Sequence, residues 1–308
     1  MRAAGLATIF TLTAATAGVG LSGCSSSNGP AVGTATPSHG NQSPTTVVRG
    51  APVTMTTLPL VDSSRTVVSG GKVLAGHRSL ATTLWSPAGV GPFPLVVFVH
   101  GYDAGPLNYQ RFCSTLASAG YVVAAPSFPL EDPAQGFALD ETHLVDEVTD
   151  VAFVITALEQ DAATRVNRAR VAVVGHSDGA DVALLVGYGP GSVDPRVGAV
   201  VASAPDTLTV TPVASHVPLL LVQGTADSVV PYSSSQSVYS QIQSPTHYLS
   251  LVGADHVAPV VGGSPWTPVL DSAVAQFLDA TVGSRGPGVR ALDAELATSP
   301  LATIESKV

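Results

Sequence analysis

The chain has 308 residues, 45% hydrophobic and 11% charged, with a formal net charge of −9. That is enough apolar material for one sizeable core, and no period marks a repeat architecture. The acidic balance disfavours nucleic acid or an anionic membrane surface as an electrostatic partner.

Met1 to Cys24 has the layout of an export signal, with Arg2 as a thin positive start and Leu6 to Val19 apolar or small and uncharged. A spanning helix needs about 20 apolar residues, so no transmembrane segment is predicted there. The stretch ends in Leu21-Ser22-Gly23-Cys24, which resembles the lipobox of bacterial lipoproteins. The resemblance implies cleavage after residue 23 and a diacylglycerol on the Cys24 sulfur, a lipid anchor on the outer face of the cytoplasmic membrane. The alternative is a plain secretory peptide with a chance cysteine. Residues 24–60, rich in Ser, Thr, Gly and Pro, read as a flexible tether. With Cys24 acylated only Cys113 remains, which excludes an intrachain disulfide and leaves Cys113 a small apolar helix residue.

A globular domain is expected over residues 61–282. Arg65 to Ser69 and Ser79 to Trp85 read as two strands joined by a Gly-rich turn. Leu95 to Val99 is an unbroken apolar run, hence a central strand buried on both faces. Asn108 to Ala119 has helical spacing and stops at Gly120, and Tyr121 to Ala125 is the next strand. Glu141 to Glu159 reads as an amphipathic helix carrying Leu144, Val148, Val151, Ile155 and Leu158 on one side. Val171 to Val174, Val197 to Ser203, Pro218 to Gln223 and Thr246 to Val252 are further strands, and Trp266 to Ala280 a closing helix. Strands alternating with helices predict an α/β fold: a mostly parallel sheet with helices on both faces. Residues 283–308 lack a strong pattern and read as a loosely packed tail.

The chemistry concentrates at Gly175-His176-Ser177-Asp178-Gly179, a G-x-S-x-G between the apolar strand Val171 to Val174 and the helical stretch Asp181 to Val186. A strand turning sharply into a helix at Ser177 would expose its Oγ above the sheet, with two glycines allowing so tight a turn. A serine hydroxyl needs a base, and the base an orienting group. In open α/β sheets such residues lie beyond the carboxyl ends of strands. Asp227 directly follows the strand ending at Gln223, and His256 directly follows the strand ending at Val252. Asp206, after the preceding strand, is the rival acid. Asp255 reads as a loop residue and His247 as a core or edge histidine. His100 and His176 read as packing near the elbow, and His39, His77, His143 and His216 have no motif around them.

On His100-Gly101-Tyr102, Gly175 to Gly179, Gly224-Thr225-Ala226-Asp227 with Pro231, and Asp255-His256, the sequence resembles the α/β-hydrolase family over roughly Arg65 to Ala280. More narrowly it resembles small lidless serine esterases of the dienelactone-hydrolase, acetylhydrolase and cutinase-like kind, although dienelactone hydrolases proper use a cysteine nucleophile. The resemblance implies a catalytic set of Ser177, His256 and Asp227, with backbone N–H groups of Tyr102 and Asp178 as the oxyanion hole. Asp178 departs from the apolar or small residue usual there. Its charge beside a developing oxyanion is unfavourable unless it points away or is paired.

Neither a metal nor another cofactor is implied by any motif. The expected activity is hydrolysis of a small-molecule, lipid or polymeric carboxylic ester by a monomer at the cell envelope. Acyl transfer to an envelope sugar or lipid is the alternative within the same chemistry, a peptidase a more distant one, and a lipoprotein that binds lipid with an idle site the alternative from another class. Only Pro205 to Val217, interrupted by Pro212, separates two strands between which many lipases carry a lid, so Ser177 is expected to be open to solvent with no cap domain.

Overall fold

In chain order the elements are β1 (Val53–Asp62), β2 (Val67–Ser69), β3 (Lys72–Ala75), β4 (Arg78–Pro87), β5 (Phe93–Val99), α1 (Gln110–Ser118), β6 (Val122–Pro126), α2 (Leu144–Gln160), β7 (Val166–His176), α3 (Asp178–Tyr188), β8 (Val197–Ser203), β9 (Leu219–Gly224), α4 (Tyr232–Gln241), β10 (Thr246–Leu251), α5 (Ala258–Val261), α6 (Thr267–Thr281) and β11 (Ala302–Lys307). The structure, a computed structural model, describes residues 50–206, 208, 210–283, 293–294, 296 and 299–307. The export signal, Cys24, His39 and the first part of the expected tether lie outside the described residues.

Nine strands form one sheet in the order β1-β4-β6-β5-β7-β8-β9-β10-β11. The six from β6 to β10 pair in parallel, while β4 meets β6, β1 meets β4 and β11 meets β10 antiparallel. This is the α/β-hydrolase architecture expected from the sequence. The strand pleat sends alternate residues to opposite faces. On one face Leu95, Val97 and Val99 of β5 pack with Val151, Ile155 and Leu158 of α2 and with α3 and α4. On the other, Val96 and Phe98 pack with Phe112, Cys113 and Leu116 of α1 and with Leu270, Val274 and Phe277 of α6. Right-handed crossovers explain the division. The chain leaves β5 through α1 towards β6 on one side, then passes through α2 and α3 in the opposite direction to β7 and β8, so these helices must lie on the other face. The order therefore reverses between β5 and β7, which opens a crevice at their carboxyl ends.

Three expectations are corrected. The tether does not reach residue 60, because Val53–Asp62 is a ten-residue edge strand in register with β4. An edge position tolerates Pro59, which has no N–H to donate. The tail after residue 282 includes β11, whose backbone extends the sheet beyond β10. The strand expected at Arg65 to Ser69 pairs not with β4 but with β3, across Gly70 and Gly71, in a separate two-stranded ribbon. Behind that ribbon a buried ion pair ties β4 to α2: Arg78 Nε lies 2.7 Å and Nη2 2.5 Å from the two Asp150 oxygens, and Arg65 also reaches Asp150.

Candidate active site

β7 passes into α3 through Ser177, whose φ of 56° and ψ of −128° are costly for a residue with a side chain. The surroundings impose that conformation. The Ser177 N–H donates to Ser203 O at 3.0 Å, and its carbonyl accepts from Ala180 N at 2.7 Å. A Cβ on Gly175 would stand 1.9 Å from Gly179 O, and one on Gly179 would stand 2.2 Å from Val99 O. Backbone approaches that close admit only glycine at both places, which is the physical content of the spacing seen in the sequence.

Loops from three strand ends meet above the crevice. His256 Nδ1 lies 2.7 Å from Asp227 Oδ2, and His256 Nε2 lies 3.1 Å from Ser177 Oγ. A carboxylate only accepts, so Nδ1 carries the imidazole proton and Nε2 presents a lone pair to the Ser177 hydroxyl. The Asp227 side chain is wholly buried. Its Oδ1 accepts from the backbone N–H of Val229 and Val230, each at 2.9 Å, and Oδ2 accepts from Gln223 Nε2 at 2.9 Å as well as from His256. Four donors on one buried carboxylate fix its orientation and, through it, the imidazole ring.

The rival residues go elsewhere. Asp206 lies near Asp178 and raises that carboxyl's affinity for its proton. Asp255 Oδ1 accepts from Val257 N at 3.0 Å and Ala258 N at 2.7 Å, which starts the short α5. His247 sits at the β10–β11 edge, with Nδ1 2.7 Å from Ser306 Oγ. His143 lies between Asp140 and Asp146.

The turn after β5 is pressed against the elbow. A Cβ on Gly101 would lie 2.9 Å from Ser177 Cβ, so the missing side chain lets the Gly101-Tyr102 backbone stand beside the serine. Asp178 is the first residue of α3, where N–H groups lack intrahelical acceptors and the helix presents its positive end. An acyl oxygen near Ser177 Oγ would thus have N–H groups on two sides. The side chain of Asp178 is another matter: burial first, then Glu141 and Asp206, push its carboxyl up to about 6.

Sequence reasoning missed three polar residues. Gln223, 1% exposed, holds Asp227 from the end of β9; a glutamine closing the apolar run Leu219 to Val222 was the available signal. Tyr109, 4% exposed, reaches the elbow from the loop before α1. Glu131, 1% exposed, has no partner for either carboxyl oxygen among the described residues, and burial followed by repulsion from Asp178, Glu141 and Asp140 pushes it up to about 9. Neither of these last two stood in a motif.

Around the elbow, Tyr102 is exposed, Trp266 folds over the turn after β10 with Nε1 donating to Val252 O, and Phe128 is fully buried against His100. Among the described residues between β8 and β9 there is no helix. Val213 N donates to Tyr188 O, and the Tyr188 hydroxyl donates to Val217 O. Both contacts pin that segment to the far end of α3, about 15 Å along the helix from Ser177. The space behind the elbow, among Phe98, Phe112, Val174 and Val260, is a cavity of about 10 Å³ and offers no acyl tunnel. A groove of about 580 Å³ around Pro87, Phe93 and Gly120 opens at the opposite end of the sheet and includes none of these residues.

A protein-family model described as Chlorophyllase matches residues 65–222, which include the Gly101-Tyr102 turn and the elbow but neither Asp227 nor His256. Two curated proteins, each named Chlorophyllase-1, chloroplastic, are similar to the chain. The one from Citrus sinensis is 33% identical over 120 residues and the one from Citrus unshiu 32% identical over 120 residues. Each match covers 37% of this chain and 36% of the relative, so the chain spans about a third of the length of the curated relatives it matches.

Proposed function

The chain belongs to the chlorophyllase family, whose members are α/β-hydrolase ester hydrolases, and from that premise we propose that it cleaves carboxylic esters through an acyl-enzyme formed on Ser177. The observation that carries this reading is the continuous set of hydrogen bonds from Ser177 Oγ through His256 to the buried Asp227, on a strained elbow beside two groups of backbone donors. As Oγ attacks the acyl carbon, its proton passes to His256 Nε2, and Asp227 stabilises the imidazolium without taking the proton. The carbonyl oxygen becomes an oxyanion and is received by the N–H groups of Tyr102 and Asp178. Collapse breaks the bond to the alcohol oxygen, which leaves with the proton from His256. Water then gives a proton to His256 as its oxygen attacks the acyl carbon, and the bond to Oγ breaks as Oγ takes that proton from His256, which releases the acid and restores Ser177.

The substrate class follows from access. With no helix described between β8 and β9 and no tunnel behind the elbow, a long acyl chain stays partly in water, and each added methylene contributes less than the ~0.8 kcal/mol of full burial. Short acyl groups of about two to eight carbons are therefore preferred in kcat/KM, and bulky alcohols or polyesters lie across the surface. The relatives' name makes chlorophyll one such bulky ester to test. Nitrophenyl esters of increasing acyl length, and chlorophyll, are assayed below and above their solubility limits with Ser177→Ala as control. Preference for short chains with no rate jump as droplets form supports the reading. Preference for sixteen-carbon chains, or a jump, contradicts the open site, and undiminished turnover by Ser177→Ala contradicts the mechanism.

The same reading places the enzyme at the cell envelope on a lipid carried by Cys24. Its support is the Leu21-Ser22-Gly23-Cys24 pattern and the polar stretch that follows. A single acyl chain anchors only marginally, and the diacyl and amide-linked chains expected of this class supply the second signal. Cys24→Ala should abolish the acyl mass increment and move the protein out of the membrane fraction; unchanged mass and partitioning contradict the anchor.

A further inference from the structure

Beneath Ser177 lies a second hydrogen-bonded series that the reaction does not use directly. Tyr109 packs its ring on Phe98, with centroids 4.7 Å apart, and brings its hydroxyl to the elbow. That hydroxyl is 3.3 Å from Gly101 N and 3.0 Å from His176 Nδ1. On the other edge of the ring, His176 Nε2 is 2.8 Å from the backbone carbonyl oxygen of His256. The His176 and His256 rings stand 4.7 Å apart.

The chemistry of the atoms fixes every proton. A carbonyl oxygen can only accept, so His176 Nε2 carries a hydrogen and donates it to His256 O. Burial, then the neighbouring His256, pushes the His176 pKa down to about 4, so the ring is neutral and Nδ1 is bare. The Tyr109 O–H must then donate to Nδ1, which leaves an oxygen lone pair to accept the Gly101 N–H. Tyr109 and His176 are 4% and 3% exposed, so water does not compete for these bonds. The series begins one residue before Tyr102, runs under the serine, and ends on the main chain of His256.

We propose that Tyr109 and His176 are positioning residues that hold the Gly101-Tyr102 turn and the His256 loop in mutual register around Ser177. This rests on the assignment of Ser177 and His256 as nucleophile and base. Neither residue touches substrate. Tyr109 aims the N–H donors of the turn at the oxyanion, and His176 holds the His256 backbone at the height from which Nε2 meets Oγ. Both alignments matter more in the transition state than in the bound ester, because a displacement of about 1 Å can cost on the order of 10²-fold in rate. Loss of the series should therefore lower kcat and leave KM nearly unchanged.

Tyr109→Phe deletes one oxygen and keeps the ring, so it tests the bond without emptying the core. Its kcat on a soluble ester should fall about 10- to 100-fold with KM within about twofold. His176→Leu should fall at least as far, and the double variant no further than His176→Leu alone, since both changes cut one series. His176→Gln, which can still present an N–H towards the His256 carbonyl, should recover much of the loss. Melting temperature is read on each variant, and Tyr109→Phe remains decisive if His176→Leu folds poorly. Tyr109→Phe with a kcat within twofold of the parent, while Ser177→Ala is inactive, overturns the positioning role and leaves the ester-hydrolase reading standing. A parallel rise in KM that accounts for the whole loss also overturns it. Activity retained by Ser177→Ala instead removes the reading on which the proposal rests.

Discussion

On the side of the elbow that faces α1, Gly101, Tyr109 and His176 match donors to acceptors one for one. On the side that faces α2, Glu131 has two buried carboxyl oxygens and Glu147 one with no partner among the described residues, and the Asp178 carboxyl beside Ser177 lies near enough to repel both. Both sides avoid the cost of burying charge, but by different routes. On the first side His176 stays neutral because burial lowers its pKa to about 4, and its tautomer is fixed by hydrogen bonds. The carboxyls stay neutral by holding protons: Glu131 is pushed up to about 9, and Glu147 well above the usual carboxylate range by burial and by Glu131. The first flank sets geometry, and the second makes the field around Ser177 depend on pH.

The largest effects come from cutting the matched set itself. Ser177→Ala and His256→Ala should each lower kcat by about 10⁶, with the double variant no worse than either, because such groups act as a unit. Asp227→Asn should cost about 10⁴ by presenting the wrong partner to Nδ1, and a mild Asp227→Asn beside a damaging Asp206→Asn would transfer the acid role.

Stability against pH separates the two flanks next. For His176 the folded pKa is depressed, so its contribution is present above about 6.5 and is lost as pH falls through about 4. For Glu131 the folded pKa is raised, so stability is full below about 4.5 and is lost as pH rises through about 9. Glu131→Gln should therefore melt several degrees above the parent at pH 9 and close to it at pH 4, as read by calorimetry. Equal melting temperatures at both pH values would show that Glu131 holds no proton in the folded state.

Asp178 gives the smallest effect, a few-fold in rate. Below about pH 6 its carboxyl is neutral, and above it a carboxylate stands beside the oxyanion that the proposed reaction forms. The ratio of Asp178→Asn turnover to parent turnover should start near one and rise to about threefold to tenfold with a midpoint near pH 6, since one charge at a screened site contributes on the order of 1 kcal/mol. A ratio that stays flat from pH 5 to 8 would place that charge outside the reacting field.

The elbow and the strands around it were legible because their residues answer to local rules. Val171 to Val174 is buried on both faces, Gly175 and Gly179 admit no Cβ, and Asp227 and His256 follow strand ends. What was missed answers to partners distant in sequence. β1 and β11 are the two edges of the sheet, and their stretches Val53–Asp62 and Ala302–Lys307 are too polar to announce strands; the backbones of β4 and β10 make them so. α4 is mostly Ser, Tyr and Gln and buries few residues, chiefly Ser235 and Val238, so no apolar stripe marks it. Tyr109 meets His176 across 67 residues, and His176 meets the His256 carbonyl across 80. No spacing rule spans such distances.

The central claim, that Ser177 is a nucleophile activated by His256, is tested most directly with a fluorophosphonate, which phosphorylates only an activated serine. The account predicts one adduct by intact mass, mapped to the peptide containing Ser177, absent in Ser177→Ala and formed far more slowly in His256→Ala. An unlabelled parent protein, or an adduct that persists in Ser177→Ala, would contradict it.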